Sequence, residues 1–242
     1  MLYTFNPMFY IRTGLGAGYK NPSVFSTASE LAGINNINAL PSNIKTEQSL
    51  SGNFDINYKL PIGEDASITF NQAFFIIQIN QPLVLEGNTF LNKEKPIITS
   101  GFESNMRYRL DEFQIFAAYT FLDAQRTYNI NQPFIPLTPK HKVNFDIIFE
   151  EEKDYMFAFE AFYISSMYRD NDFDTKDYFT FGLIYQKHFR HISIIASCEN
   201  LFDVRQSKFE NIVMNATSKP YFRQLYAPID GRVFSLGLKY KL

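Results

Sequence analysis

The sequence has one cysteine, almost no net charge and no long apolar run. Cys198 has no second cysteine with which to form an internal disulfide or a paired-thiolate metal site. No stretch approaches the ~18 consecutive apolar residues of a transmembrane helix. The net charge is −2 and there is no basic cluster, so the composition does not indicate binding to the phosphate backbone of nucleic acid.

The N-terminal stretch also lacks the charged and apolar regions of a signal peptide. An exported protein needs such a signal. Either the mature form has been cut or this chain is the tail of a longer one. We expect a tail, because residues 1–7 resemble the entry to a strand.

Aromatic residues are abundant instead: they make up 17% of the chain, with 26 Phe and 15 Tyr. Large rings need a core or a membrane in which to be buried. The last stretch, 232–242, shows how they are arranged, because apolar and polar residues alternate along it. One face would carry Phe234, Leu236, Leu238, Tyr240 and Leu242. A period of two indicates a β-strand with one apolar and one polar face.

The same alternation predicts about ten strands along the chain. They span residues 8–20, 46–60, 67–79, 97–110, 113–121, 141–150, 155–163, 178–189, 191–202 and 232–242. Short turns are expected at 61–66, 111–112, 151–154 and 188–191, and long loops at 21–46, 80–96, 129–139, 169–176 and 203–229. Short and long connections therefore alternate, as in outer-membrane barrels. A soluble sandwich has no reason to place every long loop at one end, so the pattern favours an all-β, transmembrane antiparallel β-barrel.

Three short motifs and the closing strand resemble those of TonB-dependent outer-membrane receptors, particularly receptors of the Bacteroidetes. The first motif is Arg12-Thr-Gly-Leu-Gly-Ala-Gly-Tyr-Lys-Asn-Pro, the second is Thr138-Pro-Lys-His, and the third is Asn200-Leu-Phe-Asp203. With the closing strand they follow the family's order over nearly the whole chain. The resemblance implies that residues 1–242 are about ten C-terminal strands of a larger, 22-stranded barrel, without its plug domain.

The resemblance also implies a function and a location. Such a receptor lies in the outer membrane of a Gram-negative bacterium, catalyses no reaction and needs no cofactor. It imports a scarce nutrient such as an iron siderophore, haem or cobalamin. The implied partners are the lipid bilayer, the barrel-assembly machinery, the nutrient, and the TonB energy-coupling complex, which acts through the plug missing here.

Two sets of site residues are predicted. The outer loops supply a ligand-facing set: Phe25, Tyr128, Phe134, Tyr168, Arg169, Phe173, Phe209, Tyr221 and Arg223. A plug-facing inner wall would contain Arg12 and the glycines Gly14, Gly16 and Gly18, because glycines on one face of a strand indicate a close approach. Their spacing does not match a dinucleotide or phosphate loop, and no helix pattern follows them.

Metal and catalytic sites are not predicted. The acidic stretch 170–177 begins like a calcium loop, but Thr175 replaces the required glycine and Phe181 replaces the final glutamate. The three histidines, His141, His188 and His191, do not form a haem, zinc or protease pattern.

The assigned faces make specific predictions about orientation. Phe145, Phe157 and Phe181 should face lipid, whereas Asn144, Glu160 and Thr180 should face inward. Charged residues of the inner face should form lumen charge pairs or plug contacts: Glu103, Arg107, Arg109, Glu160 and Glu199. Two alternatives stay open, namely a complete ten-stranded pore or barrel enzyme, and a soluble β-rich binding protein.

Overall fold

A computed structural model describes residues 1–26, 36–151, 154–169, 174–215, 217 and 220–240. Eleven strands form one antiparallel sheet: β1 (Leu2–Asn6), β2 (Phe9–Lys20), β3 (Glu47–Ile62), β4 (Ala66–Asn80), β7 (Ile97–Leu110), β8 (Phe113–Arg126), β9 (His141–Glu151), β10 (Tyr155–Ile164), β11 (Tyr178–His188), β12 (Ile192–Glu199) and β15 (Val233–Tyr240). Each strand pairs with the next one in this order, and β1 and β15 are the two edges. The predicted all-β antiparallel class is confirmed.

Tight turns and long connections alternate around this sheet, as the sequence predicts. Four strands are joined at one end by the turns 63–65 and 111–112, and the long connections lie at the other end. The predicted bounds are wrong by a few residues in places. β3 continues through Pro61 to Ile62, and β8 continues to Arg126.

The first strand, β1, is a full member of the sheet and not just an entry to the next strand. Asn6 reverses the chain, because its side-chain oxygen accepts hydrogen bonds from the backbone N–H groups of Met8 and Phe9, each 2.9 Å long. An Asn-Pro pair initiates turns in this way. The sheet therefore has one strand more than the ten predicted.

Two of the predicted loops contain secondary structure of their own. The 80–96 connection contains the hairpin β5 (Leu83–Glu86) and β6 (Thr89–Asn92). The 203–229 connection contains the short helix α1 (Gln206–Phe209) and the two-residue strands β13 (Val213–Met214) and β14 (Tyr221–Phe222). The outer loops are thus folded units at these points.

The strand register divides the sheet into two chemically different faces. Phe145 and Phe181 both lie opposite Ala161, so they share one face. Asn144 and Thr180 both lie opposite Phe162 on the other face. Phe157 and Glu160 were also predicted to face lipid and the interior, respectively. Phe157 lies on the first face and Glu160 on the second, since side chains alternate along β10. The assignment of residues to faces agrees with the register.

Large apolar side chains on the first face are exposed. Phe234, Leu236 and Leu238 of β15 expose 72%, 77% and 75% of their surface. Among the described residues, the buried apolar side chains are few: Phe90, Ala118, Ala124, Ala158, Met167, Cys198, Ala227 and Pro82. A soluble sandwich buries its apolar face against a second layer, and this sheet does not. In the part of the chain that the structure describes, no helix is long and apolar enough to cross a membrane.

Candidate functional site

The polar face carries a chain of hydrogen-bonded side chains across β2, β3, β4 and β7. Arg12 Nε donates to Asp55 Oδ1 at 2.9 Å, and the amide of Asn57 donates to the same oxygen. Asn71 Nδ2 donates to Asn57 Oδ1 at 2.9 Å, and Asn105 Nδ2 donates to Asn71 Oδ1 at 3.4 Å. These contacts fix the side chains of four strands in one hydrophilic surface.

The glycines of β2 make room for this polar surface. A Cβ atom at Gly14, Gly16 or Gly18 would lie 2.5 Å from Asn53 Oδ1, 2.7 Å from Ser51 Oγ or 2.9 Å from Ser49 Oγ, respectively. The side chains of β3 therefore lean over the glycine row and cover it. That Arg12 and these glycines face a plug stays a prediction. The close approach expected at the glycines occurs within this chain, between β3 side chains and the β2 backbone.

A row of carboxylates occupies the other half of the polar face. Glu160 on β10 lies opposite Asp146 on β9 and Gly182 on β11, and Glu199 lies next in the row on β12. Within the described ranges, none of the predicted inward charges forms an ion pair: Glu103, Arg107, Arg109, Glu160 and Glu199. The expectation of charge pairs among them is therefore not met, and contact with another part of the protein stays a prediction.

Two of the predicted ligand-facing residues meet at the outer end of the sheet. The ring centroids of Phe134 and Tyr168 are 5.0 Å apart. Lys140 Nζ lies 3.9 Å from the centroid of Phe134. These three residues border a cavity of about 200 Å³ whose floor includes Leu122 and Ala124 of β8.

Two other predicted ligand residues, Arg169 and Arg223, are bound to a carboxylate of the protein. Arg169 Nη2 lies 2.7 Å from Glu210 Oε1, and Arg223 Nη1 lies 2.6 Å from Glu210 Oε2. Burial alone would raise the pKa of Glu210, but the hydrogen bonds from Arg169 and Arg223 outweigh it and lower this pKa. Arg169 therefore fastens the loop after β10 to the 203–229 connection, and Arg223 braces that connection internally.

Gln206 of α1 is the centre of this loop contact, which was not predicted. It is fully buried. Its Nε2 donates to Glu210 Oε1 and to the carbonyl oxygen of Gln224, each at 2.9 Å, and its Oε1 accepts from Tyr226 N at 2.8 Å. The guanidinium of Arg169 lies over the Tyr226 ring at 4.9 Å. No local pattern marks a glutamine for this role.

The remaining predicted ligand residues are dispersed. Phe25 is 76% exposed beyond the end of β2, and Tyr128 lies 5.8 Å from Lys93 Nζ. Phe209 lies in α1, Tyr221 in β14, and Phe173 lies outside the described residues.

A second and larger cleft lies between residues 41–45 and the β5–β6 hairpin. Its volume is about 570 Å³. Asn92 holds its walls together, because Asn92 Oδ1 accepts from Lys45 N at 2.7 Å and Asn92 Nδ2 donates to the carbonyl oxygen of Gln81 at 2.8 Å. Residues 80–96 were predicted only as a loop, although Gly87-Asn88 is a typical hairpin turn.

Metal ligands do not cluster among the residues that the structure describes. His141 Nδ1 lies 2.8 Å from the hydroxyl of Tyr119, and His188 contacts Gln186 and Ser193. In the acidic stretch, residues 170–173 are outside the described part, while Thr175 Oγ1 accepts a hydrogen bond from Met167 N.

Comparison with known proteins adds a family match. A family model described as "TonB dependent receptor-like, beta-barrel" matches residues 1–201. None of the curated proteins matches the sequence. Among solved structures, the chain resembles the copper transporter OprC with a TM-score of 0.71 at 17% identity, covering 99% of this chain and 38% of that one.

Two further solved structures show the same fold. The FrpB iron transporter from Neisseria meningitidis (F3-3 variant) matches with a TM-score of 0.72 at 12% identity, over 99% of this chain and 37% of its own. The unliganded ferric citrate transporter FecA matches with a TM-score of 0.69 at 15% identity, over 98% of this chain and 36% of its own. The chain therefore spans little more than a third of the length of these transporters.

Proposed function

This chain belongs to the TonB-dependent receptor β-barrel family, and we propose that residues 1–242 form the C-terminal part of the barrel of an active nutrient importer. Members of this family lie in the outer membrane of Gram-negative bacteria and are transporters, not enzymes. The protein is accordingly an outer-membrane β-barrel protein without a catalytic role.

The observation that carries the proposal is that the sheet has one apolar and one polar face, and that its tight turns and long connections lie at opposite ends. The apolar face of the sheet exposes large side chains that suit lipid, and the polar face suits a hydrated interior. The long connections lie at one end, where a receptor meets its ligand, and two of them contain secondary structure of their own. A sheet edged by β1 and β15 then needs further strands to close, since an open edge is unfavourable in lipid.

The proposed partners follow from the same arrangement. The inner charges without ion pairs, such as Glu160 and Arg107, would contact a plug domain inside the completed barrel. That plug would couple import to the TonB complex of the inner membrane. The barrel-assembly machinery would insert the barrel into the bilayer.

The proposed cargo is a scarce nutrient such as an iron siderophore, haem or cobalamin. The structures that this chain resembles include a copper transporter, an iron transporter and a ferric citrate transporter, which supports a metal-containing cargo.

The test is uptake by cells that express the complete receptor. Radiolabelled ferric siderophores, haem and cobalamin are supplied to isogenic strains with and without TonB. We expect saturable accumulation of one of them that is lost without TonB. If uptake of all these nutrients rises linearly with concentration and is the same in the strain without TonB, the proposal is contradicted and a passive pore is indicated.

A further inference from the structure

We propose that a groove on the apolar face of the sheet binds one acylated sugar lipid of the outer leaflet. The groove has a volume of about 570 Å³ and crosses β2, β3, β4, β7 and β8. This inference concerns the outer wall of the barrel, whereas the proposed function concerns its interior and its outer loops. It rests on the proposed function in one respect, namely that the apolar face meets lipid.

Gly52 on β3 forms the floor of the groove. It lies directly opposite Leu15 on β2 and Ile76 on β4. A Cβ atom at Gly52 would lie 3.6 Å from Leu15 Cδ2 and 3.8 Å from Ile76 Cγ2, so these two side chains stand on either side of the glycine. They are 93% and 54% exposed and therefore project from the sheet as walls. Ser100 on β7 continues this row beyond Ile76 with a second small side chain.

A row of aromatic rings lines the side of the groove that is nearer to the tight turns. Four phenylalanines lie opposite one another on successive strands: Phe54, Phe74, Phe102 and Phe121. The ring centroids of Phe74 and Phe102 are 6.2 Å apart, and those of Phe102 and Phe121 are 5.6 Å apart. The rings therefore form a continuous apolar surface, against which a hydrocarbon chain can pack through dispersion contacts.

The groove lies close to the outer border of the membrane. Phe102 is eight positions from Leu110, where β7 ends beside the tight turn 111–112. This separation corresponds to about 26 Å along a strand, or to about 20 Å of height at a tilt of ~40°. An outer-membrane barrel has an apolar band about 25 Å tall, so the residues beyond Phe102 reach the level of the lipid head groups.

Polar groups follow the rings outwards in the order in which they occur in an acylated sugar. Along β7, Phe102 is followed on the same face by Ser100. The next row across the strands contains the carboxamides of Gln78 and Gln125. A lipid chain packed against Phe102 would therefore place its ester or amide carbonyl near Ser100. Its sugar would lie near the two carboxamides, which form hydrogen bonds with hydroxyl groups.

The hydroxyl of Ser100 indicates a ligand with a hydrogen-bond acceptor. Within the described residues it forms no hydrogen bond. By contrast Ser104, on the same face of the same strand, donates to Gln72 Oε1 at 2.5 Å. A hydroxyl in an apolar environment is unfavourable unless it is hydrogen-bonded, and a lipid carbonyl would accept from Ser100. Because lipid tails are as apolar as side chains, this bond and the shape of the groove would select one lipid from the others.

The experiment uses the complete receptor in detergent and native mass spectrometry with monophosphoryl lipid A, an acylated disaccharide, as the probe. Dimyristoyl phosphatidylethanolamine, which has saturated chains but no sugar, is the comparison lipid. We expect the probe to bind at least fivefold more tightly than the phospholipid. Gly52→Leu, whose side chain would fill the groove, should weaken probe binding at least fivefold. Ser100→Ala should weaken it at least twofold.

Two matched variants serve as controls. Ala161→Leu places a leucine on the apolar face of β10, outside the groove, and Ser104→Ala removes a hydroxyl that is already bonded within the chain. Both should bind the probe like the unmodified receptor, and unheated gel mobility verifies that all four variants are folded. Equal binding of the two lipids, absence of probe binding, or unchanged binding by Gly52→Leu or Ser100→Ala would overturn the inference.

The outcome is separable from the proposed function. TonB-dependent uptake of a nutrient combined with equal binding of the two lipids would overturn the lipid site alone. Selective binding of the probe that Gly52→Leu abolishes, without any TonB-dependent uptake, would support the lipid site and contradict the proposed import.

Discussion

Gly101 on β7 lies directly opposite Phe75 on β4, and the Phe75 ring covers the glycine on the polar face of the sheet. The tip of that ring lies 2.8 Å from the position that a Cβ atom of Gly101 would occupy. The carbonyl oxygen of Phe121, which is backbone and cannot rotate away, would lie even closer. The absence of a side chain at residue 101 therefore allows an aromatic ring to seal this part of the wall.

Gly101→Ala should destabilise the barrel by about 1–3 kcal/mol, the usual cost of overpacking. Gly14→Ala is the matched control, because the Cβ at that position meets only the flexible end of the Asn53 side chain. We expect the control to cost clearly less. Denaturant unfolding of the complete receptor in vesicles measures both, and equal losses of stability would show that the glycines are not distinguished by these contacts.

A new charge should destabilise the barrel strongly at one residue of β9 and only mildly at the adjacent one. Phe145→Arg places a cation on the apolar face and should cost roughly 2–4 kcal/mol if the residue lies near the bilayer midplane. Asn144→Arg places the same cation on the polar face and should be mild. The measurement is the fraction of receptor that folds in vesicles at increasing urea concentration, and similar damage from both substitutions would refute the assigned faces.

The contact of Glu210 with two arginines should make the outer loops sensitive to acid. The ordinary pKa of this carboxyl is 4.5, and the hydrogen bonds from Arg169 and Arg223 lower it in the folded loops. The stabilisation is therefore fully present above pH 4.5. It decreases as the pH falls through the lowered pKa, where the folded carboxylate takes up a proton.

Hydrogen exchange of the Tyr226 amide, which donates to Gln206, reports this loop contact. We expect its protection to be constant between pH 6 and pH 8 and to be lost in acid. Glu210→Gln, which cannot ionise, should show weaker protection at neutral pH and little dependence on pH. An identical acid transition in this variant would assign the effect to another group.

The overall fold could be predicted because strand periodicity is local. Alternation along β3 separates residues such as Asn53 and Asp55 from Phe54 without knowledge of any contact. The turn at Asn6 and the hairpin at Gly87 could have been found from the same kind of signal. Both contain residue pairs that favour reversal of the chain, Asn-Pro and Gly-Asn.

The site could be predicted only in part, because its contacts join distant parts of the chain. The strand pattern places Phe134 and Tyr168 in outer loops, but their meeting depends on the path of the loop after β10. The loop contact formed by Arg169 joins it to Glu210, 41 positions later. An arginine in a loop has the same local pattern whether it binds a ligand or a carboxylate of its own protein.

The most direct test of the account is a measurement of what surrounds neighbouring side chains of β15 in the assembled receptor. Spin labels at Leu236 and Ser235, which lie on opposite faces, are compared by their collision rates with oxygen and with a water-soluble nickel chelate. The account predicts that the label at residue 236 collides mainly with oxygen, which dissolves in lipid, and that the label at residue 235 collides mainly with the chelate. Equal accessibility of both labels to the chelate, as on a soluble sheet, would contradict it.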